Sequence, residues 1–231
     1  MAKRLSKEQL ETDPLLTSYY LFTSFLKRNM AAVIGITLAV VLLIGGGVLY
    51  YLYSERQEHE AQELLVRAEQ AFQQGEYEIA LEGDADMLTV GLVDIINDYG
   101  RTNAGNLARY YAAVAESELG NYEQALQYIR DFDPPSGILG VGPIAFQAVI
   151  HANLNNYEEA ARFFVKAAEW DENESTTPQN LLQAAQAYME AGDNSQAIRL
   201  VERIVNEYED SRSAEQAQRL EGMLIADGAG S

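Results

Sequence analysis

The chain has 231 residues, with 16 Lys+Arg against 35 Asp+Glu, a formal net charge of -19, 48% hydrophobic residues and no cysteine. That much apolar content excludes a disordered acidic tail, and the length allows one or two domains. Without Cys there is no disulfide framework, zinc–thiolate site, iron–sulfur ligand or thiol nucleophile.

The charge is unevenly placed. Up to Met30, five basic residues (Lys3, Arg4, Lys7, Lys27, Arg28) accompany three acidic ones, whereas 32 acidic and 11 basic residues follow Tyr53. Only one of those 11 is a lysine, Lys166. An acidic surface repels phosphate backbones, so nucleic acid is excluded as a partner, and the excess of Asp and Glu over Lys suits a protein solvated at high salt.

In chain order, the apolar and aromatic residues Tyr19, Tyr20, Leu21, Phe22, Phe25 and Leu26 come first and fit either the inner interface of a membrane or an extended or continuous helix. Between Arg28 and Glu55 lie 26 uncharged residues, which as a helix run about 39 Å, enough to cross a bilayer. The run is too long for a cleaved signal peptide and ends in Tyr50, Tyr51, Leu52 and Tyr53, an interfacial aromatic belt. Lys27 and Arg28 precede it and Glu55, Arg56, Glu58 and Glu60 follow, so the positive-inside rule leaves the N-terminus cytoplasmic. The expected organisation is a cytoplasmic tail over 1–29, a transmembrane helix over 30–53 and an exported domain over 54–231. In a bacterium that is a single-pass inner-membrane protein with a periplasmic domain. The sequon Asn173-Glu174-Ser175 matters only in a eukaryotic lumen. Ala31, Gly35 and Ala39 form a stripe of small residues that either lets another helix approach or is plain lipid-facing composition, and Gly45, Gly46 and Gly47 allow a hinge.

Beyond the span, four segments share a pattern: Gln74-Gly75-Glu76-Tyr77, Leu119-Gly120-Asn121-Tyr122, Leu154-Asn155-Asn156-Tyr157 and Ala191-Gly192-Asp193-Asn194. Their turn residues are 45, 35 and 37 residues apart. An alanine stands seven residues before each turn (Ala68, Ala113, Ala148, Ala185) and another five after it (Ala80, Ala125, Ala160, Ala197). Alanine fills about one position in eight of the chain, so this register is not chance. Small residues let two antiparallel helices pack closely, and Gly or Asn supplies the left-handed backbone that ends the first of them. Such hairpins stack, because none buries its apolar face alone.

The pattern resembles the tetratricopeptide repeat family over roughly residues 61–210. The resemblance implies a helical-hairpin solenoid of about four hairpins, so that with the preceding single transmembrane helix the expected fold is all-α. Expected helix pairs are 106–119 with 122–132, 143–154 with 157–170, and 178–191 with 195–208. Thr177 and Pro178 read as a helix start, and a capping helix over 213–226 opens with Ser213-Ala214-Glu215-Gln216. The first hairpin is irregular: Gly83 and Asp84 interrupt its second helix, and an apolar stretch over 87–99 implies an inserted or split helix. Residues 133–137 (Asp-Pro-Pro-Ser-Gly) form an irregular loop.

Catalytic chemistry is sparse. His59 and His151 lack metal-ligand spacing, the glycines at 137, 140 and 142 do not make a dinucleotide fingerprint, and paired acids such as Glu158/Glu159 are solvated faces. The sequence points to no enzyme and no cofactor or metal. On the tetratricopeptide register the concave surface includes Tyr110, Val114, Val149, Leu182, Gln186 and Met189, with Glu118 and Glu190 nearby. Family members that grip a C-terminal carboxylate use Lys and Asn there, and this chain has neither. The same residues are also what packing against neighbouring helices would need.

A short basic tail, one anchor and an acidic repeat domain, with phrases such as Ala104-Gly105-Asn106-Leu107-Ala108, resemble the YfgM-type ancillary subunits of the bacterial SecYEG translocon. That resemblance implies a non-enzymatic helper beside the translocon, associated with a membrane-anchored prolyl-isomerase-like chaperone and with exported client chains. The alternatives are a structural scaffold of another inner-membrane or envelope complex and a hydrolytic enzyme.

Overall fold

The computed structural model describes residues 14–86 and 88–228; Lys3, Arg4, Lys7 and Met87, which the sequence reading used, lie outside them. The chain divides into two compact units, Met1–Arg56 and Gln57–Ser231. In the first, α1 (Pro14–Arg28) ends in Lys27 and Arg28, and Asn29 joins it to α2 (Met30–Gln73). The first part of α2 is helical through Gly45, Gly46 and Gly47. In the most apolar 18-residue window of α2 nothing is buried, with Leu43 76% and Leu49 70% exposed. The helix is long and apolar enough to cross a membrane.

The second unit is a stack of helical hairpins. Its elements are the end of α2, then α3 (Tyr77–Glu82), β1 (Gly83–Asp84), β2 (Thr89–Val90), α4 (Leu92–Tyr99), α5 (Asn103–Glu118), α6 (Tyr122–Arg130), α7 (Ile138–Asn153), α8 (Tyr157–Trp170), α9 (Thr177–Glu190), α10 (Asn194–Glu207) and α11 (Arg212–Gly228). All eight register alanines are fully buried at the helix crossings. Gly75, Gly120, Asn155 and Gly192 have φ of 78°, 80°, 58° and 80°, the left-handed backbone the turns require. Each turn closes in the same way. The turn residue's N–H donates to the carbonyl three residues back, and the next N–H reaches five back, as in Gly120 to Ser117 (3.1 Å) and Asn121 to Glu116 (2.8 Å). The second helix of each pair then begins with its alanine N–H donating to the carbonyl four residues before it, as in Ala125 to Asn121 (2.9 Å).

The first hairpin is split, but by a pair of strands that the helical pattern does not foretell. Gly83 pairs antiparallel with Val90 and Asp84 with Thr89, after which α4 completes the layer through Leu92 and Ile95.

One helix start and two caps also differ from the sequence reading. The helix expected at Pro143 begins at Ile138, and Pro143 sits within α7, where its missing N–H leaves the Leu139 carbonyl without its usual partner. Thr177 is no cap: fully buried, its hydroxyl donates to the Ala168 carbonyl (3.1 Å) and accepts from the Asn173 N–H (2.9 Å), tying α9 to α8. At α11 the hydroxyl that accepts from the Ala214 N–H is that of Ser211, two residues before the expected Ser213. The Asn173 side chain is committed to its loop. Its amide nitrogen donates to the Asp171 carbonyl and the Thr176 hydroxyl, which speaks against use of the sequon. Arg203 of α10 ion-pairs with Glu207 (2.9 Å) and with Glu172 beyond α8 (2.8 Å), contacts that push its pKa upward.

Candidate functional site

The first helices of the last hairpins, α7 and α9, together with α11, line an open cleft of about 720 Å³. Its wall includes Ala152 from α7, Tyr157 and Phe164 from α8, Gln183, Gln186, Met189 and Glu190 from α9, and Gln216, Arg219 and Met223 from α11. Three amide side chains can donate to and accept from a peptide backbone, while the two methionines adapt to an apolar side chain. Glu190 and Arg219 supply one charge of each sign, and Met223 is 57% exposed.

Of the six concave-surface residues named from sequence, this cleft brings together Gln186 and Met189. Val149 lies one turn before Ala152 and is exposed. Tyr110 and Val114, both half-buried on α5, lie elsewhere, and Tyr110 is occupied by packing: its ring sits 5.5 Å from Phe132 and 6.0 Å from Phe146. Burial raises the Tyr110 pKa. Leu182 is only 5% exposed and packs with Leu181, Ala185 and Val201 in the core, so its side chain is withdrawn from the surface. Glu118 is exposed at the end of α5.

Sequence reasoning missed Gln183, Gln216, Arg219 and Met223. Three of these belong to α11, which reads as a terminal cap with a polar outer face. The signal was the spacing of Gln216, Arg219 and Met223, which puts them on one helix face opposite α9. Arg219 also gives the cleft the cation that the carboxylate-gripping positions lack.

Beside Tyr110, the Tyr111 hydroxyl donates to Glu69 (2.9 Å), and burial together with that carboxylate pushes its pKa up to about 12. Phe72 packs 5.1 Å from Tyr111 and 5.5 Å from Tyr77, the aromatic just after the first turn. His151 stacks on Phe163 with ring centres 5.2 Å apart, and burial holds its pKa below the ordinary value. His59 is on α2, exposed, 3.4 Å from Glu63. Among the described residues no group of His, Asp and Glu is arranged to hold a metal ion. Ala31, Gly35 and Ala39 are all exposed on α2, and the space beside Gly35 is open.

The tetratricopeptide repeat family model matches residues 151–223, from the end of α7 through the α11 wall of the cleft. Two crystal structures of nearly identical TPR-like repeats from a Podosopora anserina kinesin light chain homologue, one of them a point variant, share the fold at a TM-score of 0.54 and 13% identity. Each similarity covers 74% of this chain, and 87% and 88% of the respective structures. No curated protein matches the chain. No enzyme family is indicated by these similarities. Residues 151–223 thus match the tetratricopeptide repeat model, and the fold is shared with TPR-like repeats.

Proposed function

We propose that the protein is a non-enzymatic, membrane-anchored interaction module, with residues 30–53 as its single span, its N-terminus cytoplasmic and its repeats in the periplasm of a bacterium. In this reading it is an ancillary subunit of a SecYEG-type translocon that works with a membrane-anchored prolyl-isomerase-like chaperone and receives exported chains. The stripe of Ala31, Gly35 and Ala39 is the contact for another membrane helix. The cleft between α7, α9 and α11 takes a short extended segment of a client.

The cleft's lining carries this reading: glutamines for a peptide backbone, methionines for varied side chains, and no catalytic pairing of groups. A structural scaffold would not need such a surface.

The test is purification of the full-length protein from its native membrane in mild detergent, with a photo-crosslinker at Gln186. Translocon subunits, the chaperone and crosslinked exported chains are the expected companions. Met189→Asp combined with Met223→Asp should remove the client crosslinks and leave the membrane partners. A stable envelope complex lacking translocon components would replace this reading with that of a scaffold.

A further inference from the structure

We propose that the cleft between α7, α9 and α11 selects an extended client segment that carries a basic and an acidic side chain two residues apart, the basic one against Glu190 and Tyr157 and the acidic one against Arg219. This inference rests on the reading of the cleft as the client site.

The first observation is that the two charges of the cleft are free, whereas charged side chains around it are tied up. Arg162 is held by Glu158 and Glu159, and Arg203 by Glu172 and Glu207. Asp193 accepts from the Ser195 hydroxyl and the Gln196 N–H. Among the described residues Glu190 and Arg219 take part in no ion pair and no side-chain hydrogen bond, and both are exposed.

The second observation is their placement. As first helices of the series, α9 and α11 run in the same direction, and burial gives their register. Leu181, Ala184 and Ala187 of α9 and Ala214, Ala217 and Leu220 of α11 are all buried, each pair 33 residues apart. In that register Gln183 stands level with Gln216, Gln186 with Arg219 and Glu190 with Met223, and all of them line the cleft. The carboxylate and the guanidinium are thus four residues apart along the helix axes, a rise of about 6 Å. An extended chain places every second side chain on one face, roughly 6.6–6.8 Å apart, so a segment lying along the two helices meets both charges with residues i and i+2.

The surroundings reinforce each charge. Glu190 is the last residue of α9, at the negative end of the helix dipole. Tyr157 lines the same end of the cleft, because α8 starts where α7 and α9 finish, and its hydroxyl is fixed by donating to Asn155 (2.9 Å). A carboxylate beside an aromatic face suits the stem and head of a Lys or Arg. Arg219 stands level with the Gln186 amide and one turn beyond that of Gln216, donors that a client carboxylate can share.

The test uses full-length protein in mild detergent and short fluorescein-labelled peptides of Ser, Gln and Met in which one Lys and one Glu stand two residues apart. Binding is read by fluorescence anisotropy at low salt. The protein as a whole is acidic, so affinity for a lysine decides nothing, whereas pairwise coupling does. Glu190→Gln should weaken the Lys/Glu peptide about three-fold and leave unchanged the peptide with Gln in place of Lys. Arg219→Gln should show the same dependence on the peptide's Glu. Moving Lys and Glu to adjacent positions, on opposite faces of an extended chain, should cost as much as removing one of them. Both replaced side chains are exposed and unpartnered among the described residues, so the variants should keep the parent's helical circular dichroism. Equal losses for every peptide, or no loss in either variant, overturn the inference. If Met189→Asp with Met223→Asp still abolishes that binding, the cleft remains the client site. Absence of binding by any of the peptides, charged or neutral, overturns both.

Discussion

Glu58 and Asn103, 45 residues apart in sequence, are joined by a 2.6 Å hydrogen bond in which the carboxylate accepts a backbone N–H at the first turn of α5. The other carboxylate oxygen takes the Ala104 N–H at 3.1 Å. A helix start leaves such donors without partners, and an anion there also meets the positive end of the helix dipole. Thr102 completes the cap by accepting from the Gly105 N–H (2.9 Å).

Glu58→Ala should therefore lower the stability of the repeat unit by about 1 kcal/mol. Glu58→Gln keeps an acceptor and should lose less. Urea unfolding followed by circular dichroism distinguishes the two, and equal losses in both variants would mean that the charge, not the hydrogen bonds, matters.

Gly120 has open space where a side-chain carbon would go, so Gly120→Ala tests backbone conformation alone. Its φ of 80° costs an L-residue roughly 1–2 kcal/mol, and the unfolding midpoint should fall with an unchanged denaturant slope. Asn155→Gly, at φ 58°, should be neutral or slightly stabilising.

Ala160 is fully buried where α7 and α8 cross. Ala160→Leu must force the axes apart and should cost about 1–3 kcal/mol. Leucine at the exposed Glu123 should change stability by no more than about 0.5 kcal/mol. Thermal unfolding of both variants makes the comparison.

Tyr111 titrates high because burial, and then its bond to Glu69, favour the neutral phenol. Its contribution is complete below the unfolded value near pH 10 and is lost as pH rises through about 12. Tyr111→Phe should flatten the pH dependence of stability in that alkaline window. An identical alkaline slope in the variant would assign the effect to other groups.

The repeat register was legible because two demands leave few residue choices: a close helix crossing admits Ala, and a left-handed turn admits Gly or Asn. That is why Ala68 through Ala197 and Gly75 through Gly192 could be placed from spacing alone. Caps were less legible. Ser213 and Thr177 stand in the first turns of their helices as read, yet neither caps: the local bond at α11 uses the Ser211 hydroxyl, and the Thr177 hydroxyl is buried against Ala168. Pro143 misled because proline favours a first turn but is tolerated further in when the lost bond falls near an exposed helix end. The cleft was half legible. Gln186 and Met189 follow from the concave register, whereas Leu182 fails because it points to the core shared with α10 and α11, and Tyr110 is consumed by aromatic packing. Gln216, Arg219 and Met223 could not be placed without knowing that α11 continues the series of first helices.

The shared chemistry of the four turns has a consequence for how such a chain changes length. Gly120 and Asn155 are 35 residues apart and occupy equivalent joints, so excising the stretch between them rejoins one left-handed corner to another with the same two backbone bonds. Gene duplication or deletion can lengthen or shorten the array without inventing a new joint. The strand pair at Gly83 and Val90 has no counterpart in the other described hairpins, so the first of them is not interchangeable with the rest.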